Sequence, residues 1–144
     1  MTEREAVNRP SWYERIGADE GVKALADRFY AVMDSEPRYQ SLRAIHPANL
    51  SRSIERFYAF LSGFLGGPPI YWQKYGHPRL RMRHGSFPID RPMARQWVSC
   101  MQDALDHSHL DESERLELLV RFAEVADFMR NQADPVDEPD RSDP

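Results

Sequence analysis

The sequence has 144 residues, 41% of them apolar and 29% charged, with one cysteine, Cys100, and a net charge of −4. That is the length of a single domain whose core needs no disulfide or structural metal, and a lone cysteine with no CxxC or zinc-spaced Cys/His cluster offers neither. Residues 131–144 hold four Asp, one Glu and one Arg, leaving 18 basic and 18 acidic side chains in residues 1–130. A body with no basic surplus argues against nucleic-acid binding driven by phosphate contacts. Without an apolar run of roughly 18 residues or an apolar signal segment in Met1 to Pro10, no membrane span and a cytoplasmic setting are expected.

From the start of the chain, residues 1–10 read as a flexible lead. Ser11-Trp12-Tyr13-Glu14 has the form of a capping box, in which hydroxyl and carboxylate each satisfy an amide of a helix's first turn. That short helix should stop near Gly17. Asp19 is expected to cap the next, where Val22, Leu25, Ala26, Phe29 and Met33 share one face. Pro37 should close it, and a short turn carries Tyr39, Leu42 and Ile45 into His46-Pro47. Asn49 or Ser51 then opens a strongly apolar helix bearing Ile54, Phe57, Tyr58, Leu61, Phe64 and Leu65, with Phe60 widening the stripe, until Gly66-Gly67-Pro68-Pro69 breaks it.

Residues 70–88 are the least regular, punctuated by Gly76, Pro78, Gly85 and Pro88 around the basic run Arg79 to His84. Asp90 caps a helix with Met93, Ala94, Trp97, Met101, Ala104 and Leu105 on its face. Asp111 and Glu114 make a box-like start to a final helix so apolar around its circumference that it is expected to be central. Residues 131–144, acidic and proline-bearing, should be disordered. With no strand or hairpin signal, the pattern predicts an all-α domain over residues 11–130 with about five substantial helices and an irregular Arg- and His-bearing segment in its middle.

Histidine is the natural place to seek chemistry near neutral pH. His107 and His109 fall on an expected solvated turn, and His77 precedes a proline. His84 ends Arg79-Leu80-Arg81-Met82-Arg83-His84, with Leu80 on the same face of any short helix. Such a cationic segment suits a flat, anionic ligand, although a solvated basic turn would give the same pattern. No nucleophile elbow, phosphate loop, zincin motif or dinucleotide fingerprint is present, paired carboxylates have no support, and Cys100 reads as packing.

The run Tyr75-Gly-His-Pro-Arg-Leu-Arg-Met-Arg-His-Gly-Ser-Phe-Pro-Ile89 resembles the signature of the truncated haemoglobins, specifically their second group. Arg28-Phe29-Tyr30, Gly66-Gly67-Pro68 and Trp97 stand where that group has its other landmarks. The resemblance implies a two-over-two helical sandwich enclosing haem b (iron protoporphyrin IX). It implies His84 as the proximal iron ligand, Leu80 beneath the porphyrin, and Arg79, Arg81 and Arg83 toward the propionates, with Tyr71 at the same edge. Tyr30, Trp97 and His46 would line the distal pocket as hydrogen-bond donors, with Phe57 narrowing access and Ser53 opening it. The glycine pair that the family carries after its first helix is reduced here to Gly17 and Gly21, with Ala-Asp-Glu between.

The function implied is binding of O2 and other diatomic gases at ferrous iron, held by strong distal hydrogen bonds and used in nitric oxide dioxygenation or peroxide chemistry. Turnover of that kind calls for an electron-donating reductase. A gas sensor or storage protein without turnover, and a haem-free helical module, are the competing readings. The protein would be a monomer or homodimer.

Overall fold

The computed structural model describes residues 10–76 and 90–129. Helix α1 (Trp12–Arg15) starts on the expected capping box: Ser11 Oγ accepts the Glu14 N–H at 3.2 Å, and Glu14 Oε1 accepts the Ser11 N–H at 3.2 Å. Helix α2 (Ala18–Ser35) follows through a left-handed bend, with φ of 112° at Gly17 and 57° at Ala18. Asp19 therefore does not cap it, because the bend places Gly17 at the N-cap and leaves Asp19 inside the first turn. Its carboxylate instead accepts from the Tyr58 hydroxyl and pairs with Lys23 at 3.3 Å.

Gly17 and Gly21 divide the work of this corner. Gly17 supplies the positive φ, and Gly21 the close approach, since a Cβ there would stand 1.9 Å from the Ile16 carbonyl oxygen.

Pro37 opens a 3-10 turn (Pro37–Tyr39) where the chain leaves α2, as its fixed φ allows at a first helical position. Helix α3 (Gln40–Ala44) comes next, then α4 (Ser51–Phe64), before which Asn49 Oδ1 accepts the Ser51 N–H at 2.9 Å. The Gly-Gly-Pro-Pro break is fastened by Ser62 Oγ, which donates to the Pro68 carbonyl at 2.7 Å. The stretch expected to be irregular begins with a six-residue helix, α5 (Ile70–Tyr75). Helix α6 (Arg91–Leu105) is capped as expected by Asp90, which accepts the Met93 N–H at 3.0 Å. Helix α7 (Glu112–Met129) starts where Asp111 and Glu114 satisfy each other's amides at 2.8 and 3.1 Å.

The long helices pack as two pairs, α2 with α4 and α6 with α7, and α2 lies against α6 to join them. The architecture is all-α, with no strand among the described residues. The helix at the centre is α2, not α7 as expected. Leu118, Phe122 and Ala126 of α7 are buried, but Leu116, Val120 and Phe128 are 57%, 62% and 59% exposed. A helix apolar on most sides signals several faces available for burial; the number of neighbours decides how many are used, and α6 is the long helix α7 packs on.

Candidate functional site

Six aromatic side chains from four elements and one histidine meet where the two helix pairs join. Helix α2 contributes Phe29 and Tyr30, which are 1% and 7% exposed and whose rings meet edge to face at 5.2 Å. Phe57 of α4 approaches both, at 4.8 Å from Phe29 and 5.8 Å from Tyr30. Trp97 of α6 stands 5.6 Å from Phe29, 6.1 Å from Phe57 and 5.9 Å from Phe122 of α7. Phe122 in turn meets Phe64 at 5.2 Å. His46, on the turn after α3, presents its ring to Tyr30 at 5.5 Å and 82°. Edge-to-face contacts of this kind follow the ring quadrupoles and fix orientation as well as distance.

The wall is apolar but incompletely covered: Phe57, Phe64 and Trp97 are only half-buried while they pack on the fully buried core. Its polar groups are as telling. Among the described residues the Tyr30 hydroxyl has no hydrogen-bond partner, and burial pushes its pKa well above the ordinary tyrosine value, with a smaller contribution from Cys100. The Trp97 indole N–H likewise donates to no described residue. Buried donors without acceptors are rare because each costs the desolvation of its polar group. Tyr30 and Trp97 belong to one aromatic wall, each packing on both Phe29 and Phe57.

His46 is held differently. Its Nδ1 lies 2.9 Å from the Leu42 carbonyl oxygen, which can only accept, so Nδ1 carries a proton. A neutral His46 therefore keeps its lone pair on Nε2 and donates from that nitrogen only as imidazolium. The turn beneath it is fastened by Arg43, whose guanidinium donates to the carbonyls of His46, Pro47 and Ala48 at 3.4, 3.0 and 3.0 Å and to Asp34 at 2.8 Å. From α6, Gln96 Oε1 accepts the Leu42 N–H at 3.2 Å. Leu42 is a fully buried residue in the first turn of α3, where an amide has no helical partner of its own.

A second polar connection ties the same elements together. The ring of Tyr39 is buried and its hydroxyl lies 2.8 Å from Ser99 Oγ and donates to Asp103 at 2.6 Å; Arg38 pairs with the same carboxylate. Sequence reasoning missed Gln96, Ser99 and Asp103, because a polar residue on a helix announces no partner some sixty positions away.

Of the residues expected at the site, the structure brings together Tyr30, His46, Phe57 and Trp97. Ser53 is half-buried on α4 one turn before Phe57. Tyr71 is buried on α5, with its ring 4.8 Å from that of Tyr75. His84, Leu80, Arg79, Arg81 and Arg83 lie outside the described residues, as does His77. His107 and His109 are exposed as expected, and His109 Nε2 is 2.7 Å from the Arg15 carbonyl oxygen. Cys100 is packing, as expected, with its S–H donating to the Phe29 carbonyl at 3.3 Å.

Two helix pairs joined at a shared aromatic cluster, with no strand among the described residues, are the arrangement of a two-on-two globin. The family model of bacterial-like globins matches residues 11–131. A group 2 truncated hemoglobin of Bacillus subtilis, YjbI, is 40% identical over 92% of this chain and 96% of its own. A group II 2-on-2 hemoglobin from Agrobacterium tumefaciens superposes with a TM-score of 0.82 at 42% identity, covering 87% of this chain and 97% of that one. The cold-adapted truncated hemoglobin of Pseudoalteromonas haloplanktis TAC125 gives 0.82 at 39%, over 85% and 99%. The chain belongs to the bacterial-like globins, as a group II truncated haemoglobin.

Membership makes this a haem-based gas-binding protein. The described residues fit that group: half-covered rings suit a flat apolar macrocycle, and the partnerless Tyr30 hydroxyl suits a ligand carrying an acceptor atom. No described helix is long and apolar enough to cross a membrane.

Proposed function

We propose that the protein holds O2 against donors on Tyr30 and Trp97 and uses it to convert nitric oxide to nitrate. The single observation that carries the reading is the hydroxyl of the buried Tyr30, without a hydrogen-bond partner among the described residues, on a ring that meets His46 edge to face. Haem, taken to be haem b, supplies the iron that accepts the gas and one electron. This chain's part is to hold, orient and shield. His84 is the proposed proximal ligand and Leu80 the floor, with Arg79, Arg81 and Arg83 offering guanidinium forks to propionates and Tyr71 standing at the same edge.

Above, Tyr30 and Trp97 donate to a ligand that gains negative character. Each such charge-assisted bond is worth about 1.5–3 kcal/mol, which slows gas release by about ten- to a hundredfold. Phe57 narrows the approach, Ser53 leaves it open, and the aromatic wall excludes water. The net reaction, NO + O2 + e− → NO3−, balances with one electron per nitrate, so sustained turnover in the cytoplasm needs a reductase as partner.

The test is to add nitric oxide to the oxygenated protein. Rapid, stoichiometric nitrate with oxidation of the haem is the expected result; slow or absent conversion overturns turnover and leaves storage or sensing. His84→Ala should lose tight haem retention, and an unchanged haem spectrum would remove His84 from the proximal role. Trp97→Phe should release O2 faster, and an unchanged rate removes Trp97 from the distal set.

A further inference from the structure

Helix α6 delivers two consecutive side chains to the distal region by different means. Trp97 enters the aromatic wall, while Gln96 reaches the backbone of α3. Its Oε1 accepts from Leu42 N–H at 3.2 Å, and the carbonyl of the same Leu42 takes the Nδ1 proton of His46 at 2.9 Å. Both backbone groups of Leu42 are thus met from outside its own helix, the N–H by α6 and the carbonyl by the His46 ring, while the carbonyl also takes a longer bond from the Ile45 N–H at 3.4 Å. The Gln96 amide can be oriented only one way here, because an N–H facing it requires oxygen rather than nitrogen.

We propose that Gln96 is a positioning residue for the distal site: by fixing the Leu42 backbone it holds the Leu42 carbonyl under His46 and so determines which imidazole nitrogen carries the proton. Two independent connections converge on this geometry. Arg43 gathers the carbonyls of residues 46–48 and anchors the far end of the turn, so the ring has a fixed base. Tyr39, Ser99 and Asp103 join the 3-10 turn to α6 next to Gln96, so the distance that Gln96 spans is fixed as well. On the carbonyl side the helix's own hold on Leu42 is the long Ile45 N–H bond at 3.4 Å, and on the amide side Gln96 is the acceptor that completes it.

The consequence is chemical. With the proton on Nδ1, neutral His46 offers Nε2 as an acceptor, whereas the other tautomer would offer a donor. The sign of its interaction with anything at Nε2 is therefore decided from α6. The relevance of this to gas binding rests on His46 belonging to the distal pocket, as proposed above; the assignment of Gln96 itself does not.

The experiment is 15N NMR of the histidine rings in the haem-loaded, diamagnetic ferrous carbon monoxide form, with His46 assigned by its loss in His46→Phe. The wild type should show His46 as the Nδ1–H tautomer; an Nε2–H tautomer there overturns the proposal without any variant of Gln96. Gln96→Met keeps the length and removes the acceptor, and should lower the ratio of Nδ1–H to Nε2–H by about two- to tenfold, the range of one net hydrogen bond. Gln96→Glu keeps an acceptor and should restore the wild-type ratio. An unchanged ratio in Gln96→Met, or equal loss in both variants, overturns the assignment. A shifted ratio with unchanged gas release supports Gln96 as the positioning residue and instead removes His46 from the proposed distal set.

Discussion

The Tyr39 hydroxyl donates to the Asp103 carboxylate at 2.6 Å from a ring buried between the 3-10 turn and α6, 64 positions away in sequence. Removing that hydroxyl leaves Ser99 and Asp103 each short of one partner, although Arg38 still holds the carboxylate. Tyr39→Phe should therefore cost about 1–3 kcal/mol of stability. Urea unfolding measures it, and a loss below about 0.5 kcal/mol would mean that the pair contributes no more than an ordinary surface contact.

Tyr30 should behave in the opposite way. Its hydroxyl has no described partner to lose, so Tyr30→Phe leaves the unfolding free energy unchanged or slightly raised. Gas release, in contrast, should accelerate by about ten- to a hundredfold. Stopped-flow dissociation and thermal unfolding on one preparation separate the two effects; a destabilised protein with an unchanged release rate would make Tyr30 a core residue only.

The pairing of Tyr58 with Asp19 gives the fold a pH dependence at both ends. Donation to Asp19, then burial, lifts the Tyr58 phenol from 10.0 to about 12. A pKa raised by folding stabilises fully below the unfolded value and is lost as pH rises through the folded one. Asp19 is lowered, first by that same hydrogen bond, so its contribution is present above the ordinary carboxylate value and lost as pH falls through the lowered one. Tyr58→Phe should flatten both limbs of a stability curve, the alkaline one between about pH 10 and about pH 12. Wild-type curvature retained in the variant would assign the limbs elsewhere.

Cys100 should be chemically silent. Burial, aided by the Asp103 charge, pushes its thiol up to about 12, and only the thiolate reacts. Iodoacetamide at mildly alkaline pH should leave the native protein unmodified and label it on unfolding. Fast labelling of the folded form would contradict the burial.

The two faces of α7 should differ sharply. Leu118→Ala removes a fully buried side chain and should cost about 2–5 kcal/mol, whereas Leu116→Lys on the exposed face should stay within about 0.5 kcal/mol. Equal losses would mean that the Leu116 face is covered in solution.

The legible parts of this molecule are those whose causes are local. Ser11 with Glu14, Asp90, and Asp111 with Glu114 act as expected because a cap is decided within one turn of chain. Asp19 was misread because the same residue type serves as a cap or as a partner for Tyr58, and the backbone bend at Gly17 chose between them. The centrality of α7 was misread because a helix's own pattern does not say how many neighbours surround it. Tyr30, His46, Phe57 and Trp97 were reachable through a family motif, and their convergence depends on helix pairing that no single stripe encodes. Gln96 carried no signal, since its partner is a backbone amide.

The corner between α1 and α2 leaves no room at residue 21, where even a methyl would collide with the Ile16 carbonyl oxygen. Any relative with a bulkier residue at the equivalent place must bring its first helix in along another path. Superpositions across the family are therefore best anchored from the second helix onward, and a shifted leading helix in a related molecule reports the volume at one residue rather than a rearranged gas pocket.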